Sequence, residues 1–237
     1  MKIKIIALGS SKWERLIRRW GVSFLIGEDL LFDTFGDPGV LVNNMRKFNI
    51  DPAKIKHIVL SHDDWDHISG LWYLLEGRKD ITVYICPGFN QEIKDRITSF
   101  GVRVIEVEPF TEIEKGVFST GQIHSSSIGR SIFEQALAVK SSKHITIITG
   151  CAHPGIVKII NTVTKHFLNE RVYFILGGLH LKDNANEINT GIIQELRDLG
   201  VCKVAPMHCT GKRATEAMRE AFGYGFLQAK EGDSIEL

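Results

Sequence analysis

The sequence predicts an α/β protein, and three observations lead to this class. Short apolar runs alternate with helix-like segments along the 237 residues. These elements form two sets, one on each side of a polar, glycine-bearing region at 109–131. Hydrophobic residues make up 43% of the chain, which is enough for a sizeable core. We therefore expect helices to cover the outer faces of both sets of strands.

The first set begins with a strand in IKIIAL and a helix in SKWERLIRRW. This helix places Trp13, Leu16, Ile17 and Trp20 at helical spacing, so we expect it to pack against the core. The following elements are two strands in SFLIGEDLLFD joined by a Gly-Glu-Asp turn, then helix VLVNNMRKFNI, strand HIVL, helix ISGLWYLLEG, strand ITVYIC, helix NQEIKDRITSF and strand VRVIEVE.

The second set has the same alternation. Its elements are strands ALAVKS and HITIITG, helix GIVKIINTVTKHF, strand VYFILGG, helix EINTGIIQELRDLG, strand KVAPMHC and helix ATEAMREAFG. The two sets do not repeat in sequence, and nothing between them resembles a flexible linker. We therefore expect one domain over residues 1–237, with halves of roughly 1–120 and 121–237.

The composition and net charge of the chain limit the classes of partner that it is expected to bind. A net charge of +1, without a basic run, does not favour nucleic acid or a membrane surface. No stretch approaches the roughly 18 apolar residues that cross a bilayer, and no signal peptide is recognisable. The four cysteines form no CxxC pair, so we expect a reducing cytosol rather than a disulfide framework. The expected partner is a small-molecule substrate; oligomeric state is not encoded in any pattern.

The segment LSHDDWDHISGL crowds ionisable residues after an apolar strand. His62, Asp64 and Asp66 are spaced by two, and His67 follows directly. Asp66 alone could cap a helix beginning near Ile68, but capping requires one acid rather than this set. Because crowded carboxylates repel each other and lose hydration, a divalent cation is the simplest partner for them. The segment therefore predicts a metal site.

Further candidate ligands lie at the ends of later strands. They are Cys151 and His153 after HITIITG, His180 after VYFILGG, and His208 with Cys209 in KVAPMHC. Functional groups of α/β proteins gather at the carboxyl ends of strands, so these positions favour the same site.

At this point the sequence resembles a known family. SHDDWDH is similar to the His-x-His-x-Asp-His signature of the metallo-β-lactamase fold. Together with RWGVSFLIG…LLFDT, ITGCAHPGI, LGGLHL and MHCTG, it resembles the branch named after a dihydropterin–ribofuranosylaminobenzene-phosphate synthase. The resemblance implies a four-layer αβ/βα sandwich with one or two metal ions, usually zinc.

The resemblance also implies ligands, at His62, Asp64 and His153 for a first metal and at Asp66, His67 and His208 for a second. Asp64 stands where the family has histidine, and this harder oxygen ligand could shift the preference towards iron or manganese. Cys151 stands where the family has a bridging aspartate. It is either a thiolate ligand or a buried structural thiol.

A metal with an open position lowers the pKa of bound water to about 7, which supplies hydroxide at neutral pH. Asp66 is the residue we expect to hold that water and accept its proton. Asp33 either orients a ligand histidine or forms a turn. His180 is a ligand, a substrate contact or a structural residue. Glu134 could line the site, although we expect it to be a strand-edge glutamate.

The segment HCTGKRATEAM places Thr210 where it could cap a helix whose first turn carries Lys212 and Arg213. Cations at a helix N-terminus are unfavourable, and a phosphate or carboxylate of the substrate would relieve this. Alternatively, both side chains extend into solvent.

These features predict a metal-dependent hydrolase that uses a metal-bound hydroxide on a small ester, lactone or phosphoester, with or without a further phosphate group. The alternatives are a transferase of the synthase type named above, a di-iron redox protein, and a non-catalytic protein that binds a metal or ligand.

Overall fold

The structure is a computed structural model that describes residues 1–127, 129–142, 144–168 and 170–237. It contains two compact units, one of Met1–Glu108 with Lys230–Leu237 and one of Pro109–Ala229. The second unit begins at Pro109, and the last eight residues belong to the first unit. Helices and strands alternate in both units, so the predicted α/β class is confirmed.

The first unit is built on a seven-stranded sheet. Its strands are β1 (Lys2–Gly9), β2 (Gly21–Ile26), β3 (Leu30–Phe32), β4 (His57–Val59), β5 (Thr82–Ile85), β6 (Arg103–Glu106) and β15 (Ser234–Glu236), in the order β15-β1-β2-β3-β4-β5-β6. Its helices are α1 (Lys12–Leu16), α2 (Pro38–Lys47), α3 (Trp65–Ile68), α4 (Leu71–Leu75) and α5 (Gln91–Ser99). Strands β3 to β6 run parallel, so their carboxyl ends share one edge.

The prediction that SKWERLIRRW packs against the core is wrong for most of this segment. Helix α1 is only five residues long and buries none of them; Trp13 is 66% exposed and Leu16 73%. The helix ends early because Arg18 takes a left-handed conformation with φ of 60°. Five residues cannot present a continuous apolar stripe, and only Trp20, beyond the helix, is buried.

The predicted helix ISGLWYLLEG is divided into α3 and α4 at Gly70. A Cβ at this position would lie 2.2 Å from the Thr34 carbonyl oxygen, so only glycine allows this close approach. The Gly70 N–H donates to the Phe35 carbonyl at 3.2 Å, outside any helix. The break leaves Asp66 and His67 in a one-turn helix of their own.

The second unit contains a six-stranded sheet and a two-stranded ribbon. Its strands are β7 (Thr111–Glu114), β8 (Val117–Ser119), β9 (Ile123–Ser127), β10 (Arg130–Glu134), β11 (Leu137–Lys140), β12 (Ile145–Thr149), β13 (Val172–Gly178) and β14 (Lys203–Met207). The sheet has the order β14-β13-β12-β11-β8-β7, and β9 pairs with β10. Its helices are α6 (Ile156–His166), α7 (Asn186–Asp198) and α8 (Lys212–Phe222).

The polar, glycine-bearing region at 109–131, where the sequence predicted no strand, is largely β-structure. It holds β7, β8, β9 and the start of β10. Ile128 of this region lies outside the described residues. The strands were missed because an edge strand such as TEIE and a ribbon strand such as IHSSS carry few apolar residues.

The core of the second unit lies among the apolar faces of its sheet and helices, and includes Ile147, Ile159, Ile175, Leu196 and Met218. Strands β12, β13 and β14 run parallel, so the residues that follow them meet at one edge of this sheet. None of the helices in the described part of the chain has the length and apolar character that crossing a bilayer requires.

Candidate metal-binding site

The first group of predicted ligands lies in the first unit, where β3 and β4 end side by side. Asp33 follows β3, His62 follows β4, and Asp66 and His67 lie in α3. All four side chains are buried. The structure thus gathers these residues with Asp64 and Ser61 into one group, named here the β3–β4 cluster.

Hydrogen bonds in the β3–β4 cluster determine which imidazole nitrogens are protonated. Asp33 Oδ1 accepts the Ser61 N–H at 2.7 Å, and Oδ2 accepts the Ser61 hydroxyl at 2.7 Å and His67 Nδ1–H at 2.6 Å. Because the only hydroxyl proton of Ser61 goes to Asp33, Ser61 Oγ accepts His62 Nδ1–H at 2.8 Å. Both neutral rings therefore carry their lone pair on Nε2, the atom that would bind a metal.

The two Nε2 atoms face carboxylates. His62 Nε2 lies 3.4 Å from Asp64 Oδ2, and His67 Nε2 lies 3.3 Å from Asp66 Oδ2. The ring centroids of the two histidines are 4.1 Å apart. A lone pair directed at a carboxylate oxygen is repulsive unless a cation lies between them. The donor set therefore fits a metal ion.

A proton is the other cation that can serve there. Burial lowers the pKa of His67, but the negative charges of Asp33 and Asp66 and the hydrogen bonds to them outweigh burial and raise it well above the ordinary value. The β3–β4 cluster therefore stabilises a positive charge at this position, whether a proton or a metal ion carries it.

The backbone around Asp33 is held firmly in an uncommon conformation. Asp33 has φ of 57°, and its carbonyl accepts the Ser23 hydroxyl at 2.8 Å. Thr34 donates its N–H at 2.7 Å and its hydroxyl at 2.9 Å to the His67 carbonyl. Left-handed non-glycine residues often occur at functional sites. Asp33 both turns the chain and contacts a predicted ligand, so the two expectations for it are compatible.

Asp66 is not the cap of a helix beginning near Ile68. Helix α3 begins at Trp65, and its N-cap position is occupied by Asp64, which makes no side-chain capping bond. Asp66 therefore lies within the first turn, where its carboxylate is directed to His67 Nε2.

The second group of predicted ligands lies in the second unit, after β12, β13 and β14. Cys151 is at its centre, because its Sγ lies within 4.8 Å of a ring nitrogen of His153, His208 and His180. The rings of His153 and His180 are 4.3 Å apart. Three of the residues after these strands are left-handed, namely Ala152, His180 and His208, with φ of 61°, 51° and 51°. This group is named here the β12–β14 cluster.

Glu134, expected to be a strand-edge glutamate, is instead buried at the end of β10 and organises this cluster. Oε1 accepts the N–H groups of Cys151 at 3.0 Å and Ala152 at 2.7 Å. Oε2 accepts both the N–H and the Nδ1–H of His153, each at 2.8 Å. Neutral His153 therefore carries its lone pair on Nε2, as the two histidines of the β3–β4 cluster do. A carboxylate within the apolar run IFEQALAV was the available signal.

Cys209 was noted beside His208 but was not assigned to either metal; it belongs to the β12–β14 cluster. Its Sγ accepts the His180 N–H at 3.3 Å and lies 3.5 Å from the Cys151 carbonyl. Burial raises the pKa of the Cys209 thiol, but the Cys151 side chain and the positive charge of His208, together with His180, outweigh it and lower the pKa well below the ordinary value.

Thr210 does not cap helix α8. The N-cap is Gly211, and Thr210 instead accepts the Leu179 N–H at 3.1 Å and donates to the Met207 carbonyl at 2.7 Å. Lys212 and Arg213 are exposed in the first turn of α8, and Lys212 Nζ lies 4.0 Å from Glu216 Oε1.

Comparison with known proteins places the chain in a family. The profile of the β-lactamase superfamily domain matches residues 29–155, more than half of the chain. The chain therefore belongs to the β-lactamase superfamily. A solved metal-dependent hydrolase of this superfamily is 26% identical, with a TM-score of 0.80 over 100% of this chain and 99% of that one. The metallo-β-lactamase fold protein YhfI from Bacillus subtilis is 12% identical, with a TM-score of 0.71 over 99% and 98% of the two chains. The predicted metallo-β-lactamase fold is confirmed.

A curated relative agrees with the branch that five segments of the sequence indicated. The chain is 29% identical to the 7,8-dihydropterin-6-methyl-4-(β-D-ribofuranosyl)-aminobenzene-5'-phosphate synthase of Methanocaldococcus jannaschii, over 91% of this chain and 89% of the relative. The resemblance to this branch is thereby confirmed.

Proposed function

We propose that the protein is a metal-dependent hydrolase of a small ester, lactone or phosphoester, with or without a further phosphate group. One observation carries the proposal: buried hydrogen bonds fix Nδ1 as the proton-bearing atom of His62, His67 and His153. Such bonds fix the ring orientation and the tautomer of metal-binding imidazoles and leave Nε2 to the metal. The likeness to a metal-dependent hydrolase of the superfamily agrees with it.

The proposed ligands are His62, Asp64, Asp66, His67, Cys151, His153 and His208. Imidazole and thiolate donors favour zinc, whereas Asp64 allows iron or manganese. A bound divalent ion would lower the pKa of a coordinated water to about 7 and polarise the oxygen of the substrate that is attacked. We propose one or two such ions.

Asp66 is the proposed general base. Its carboxylate is mostly buried, and Oδ2 lies 3.3 Å from His67 Nε2. From there it can orient a water and accept its proton at Oδ2. Lys212 and Arg213 are the proposed contacts for an anionic group of the substrate, because both are exposed at the start of α8. The reducing cytosol remains the proposed compartment, since all four cysteines are free thiols.

A hydrolysis screen tests the proposal. Protein purified without added metal is first analysed for zinc, iron and manganese, and then assayed on esters, lactones and phosphodiesters. Asp66→Asn should remove most of the activity, typically about 100-fold or more for a general base. The matched control is Asp63→Asn in the same loop, because Asp63 accepts the Asn90 N–H at 2.9 Å and an amide oxygen can do the same. Equal losses in both variants would refute the role of Asp66.

A second candidate is a synthase-type transferase, favoured by the M. jannaschii relative. Incubation with a dihydropterin diphosphate and a phosphorylated aminobenzene ribofuranoside tests it directly. Release of diphosphate with a joined product would favour transfer over hydrolysis. A metal content of two irons would favour redox chemistry, and the absence of any tightly bound metal would favour a non-catalytic role.

A further inference from the structure

Three side chains of the second unit, all of types that can bind a metal ion, lie close together. Cys151 Sγ, Cys209 Sγ and a ring nitrogen of His180 all lie within 4.8 Å of one another. The three residues follow three adjacent parallel strands, β12, β13 and β14. Both cysteines are almost fully buried, at 4% and 2% exposure.

His180 supplies the second observation. Its Nδ1 is buried, and no hydrogen-bond partner for this atom exists among the residues that the structure describes. A buried ring nitrogen without a partner is unfavourable, so a structural role leaves it unexplained. A cation bound at Nδ1 would provide the missing partner, and a ring nitrogen of His180 lies within 4.8 Å of both sulfurs.

The neighbouring backbone makes room for the sulfur of Cys209. A Cβ at Gly178 would lie 2.7 Å from Cys209 Sγ and 2.3 Å from the Gly150 carbonyl oxygen, so any side chain there would collide with both. Thr210 ties the ends of β13 and β14 together by its bonds to Leu179 and Met207. The contacts of Gly178 and Thr210 therefore fix the position of Cys209 at the edge of the sheet.

The donor atoms of Cys151, Cys209 and His180, two sulfurs and one nitrogen, are soft ligands. Thiolate ligands select zinc-like cations over manganese or magnesium, and two cysteines with one histidine form a zinc set that leaves a fourth position open. This differs from the oxygen-rich β3–β4 cluster, whose donors are two imidazoles and two carboxylates.

We propose that Cys151, His180 and Cys209 bind one thiophilic divalent cation of the zinc type in the second unit. This inference rests on the proposed function only through Cys151, because the hydrolase proposal and the present one both assign Cys151 as a metal ligand. It adds Cys209 and His180 as ligands and makes sulfur the dominant donor.

Cobalt substitution of the full chain tests the proposal, because each thiolate bound to Co²⁺ contributes a charge-transfer absorption in the near ultraviolet. The metal-free wild-type protein titrated with one equivalent should show two thiolate contributions. Cys151→Ser and Cys209→Ser should each lose one contribution, and the double variant should lose both. Cys86→Ser and Cys202→Ser are matched controls, one buried and one exposed, and should keep the full absorption.

The variants also separate this proposal from the hydrolase proposal. If Cys151→Ser abolishes the absorption and Cys209→Ser leaves it intact, Cys151 binds metal without Cys209, and only the further inference fails. His180→Ala should weaken cobalt binding at least tenfold, and an unchanged affinity overturns the three-ligand site. Loss of hydrolysis in Asp66→Asn with intact two-thiolate absorption supports both proposals independently.

A measurement on the wild-type protein removes any dependence on variants that fail to fold. X-ray absorption spectroscopy of protein with one equivalent of Zn²⁺ counts its neighbours directly. Two sulfurs at about 2.3 Å are expected. One sulfur or none overturns the proposal.

Discussion

Asp33 Oδ2 lies 2.6 Å from His67 Nδ1, and neither side chain is accessible to solvent. In the second unit, Glu134 Oε2 lies 2.8 Å from His153 Nδ1, again with a buried carboxylate. Each unit therefore uses one carboxylate to choose the tautomer of a candidate ligand. The contacts also differ, because Asp33 acts on a second histidine through Ser61, whereas Glu134 binds three successive backbone N–H groups.

We expect Asp33→Asn to weaken metal binding by about 10–100-fold. The amide nitrogen would oppose a donor at either His67 Nδ1 or Ser61, which favours the tautomer with hydrogen on Nε2 and so removes the metal-binding lone pair. Competition with a chromophoric chelator measures the affinity. Asp37→Asn is the control, since Asp37 caps α2 through Oδ1 and asparagine caps equally well. Equal affinities in the Asp33 variant and wild type would contradict the role of Asp33.

We expect Glu134→Gln to reduce both stability and metal affinity. Glutamine keeps one acceptor oxygen for Cys151 and Ala152 but places an NH₂ group against the two donors of His153. Leaving buried donors unsatisfied costs about 1–3 kcal/mol of unfolding free energy, measurable from urea midpoints. Glu112→Gln is a matched control, because exposed Glu112 accepts only the Gly116 N–H at 2.9 Å among the bonds described here. A midpoint shift no larger than that of the control would argue against this account.

The metal-free protein should lose stability as the pH rises. The unfolded chain releases the His67 proton near the ordinary pKa of about 6.5, whereas Asp33 and Asp66 raise the folded-state pKa well above it, against the effect of burial. The stabilisation is therefore complete below about pH 6.5 and disappears as the pH rises through the raised pKa. Urea unfolding in the presence of a chelator, from pH 6 upwards, measures the slope. In Asp66→Asn the slope should be smaller.

Metal affinity should depend on pH in the opposite direction. A metal ion at His67 Nε2 must displace the proton, so the apparent affinity should increase with pH across the same window and level off above the raised pKa. Isothermal titration in buffers of different ionisation enthalpy counts the protons released. Binding without proton release at neutral pH would contradict this prediction.

Trp13 within α1 and Trp20 beyond its end should differ in their effect on stability. Trp13→Ala should change the unfolding free energy by no more than about 0.5 kcal/mol, because the side chain is 66% exposed. Trp20→Ala should cost about 3–5 kcal/mol, because Trp20 is buried. Urea unfolding of both variants checks the contrast. Similar losses of unfolding free energy in both variants would support the original prediction that the whole segment SKWERLIRRW packs against the core.

Local patterns were sufficient for most elements and for much of the candidate site. Long apolar strands such as β12 and amphipathic helices such as α6 carry strong periodic signals, and the crowded segment from His62 to His67 marked its own strand end. Parallel strands bring their ends together, so Cys151, His180 and His208 could be grouped without knowing any distance.

What could not be predicted depends on contacts between residues distant in sequence. Glu134 gained its role through bonds to residues 17 to 19 positions later, which no local pattern encodes. Cys209 can lie within the β12–β14 cluster because Gly178, which has no side chain, leaves space for its sulfur. Helix α1 was misjudged because its apolar spacing was correct but a left-handed Arg18 ended it after five residues.

Strand β15 pairs antiparallel with β1, and Gly232 and Asp233 also bond to Ile5. During translation, therefore, β1 leaves the ribosome long before its outer neighbour has been synthesised. Its edge stays open while Pro109–Ala229 emerges, and an unpaired edge can recruit other chains. A nascent chain stalled before residue 230 is then expected to need chaperone protection that the released protein does not.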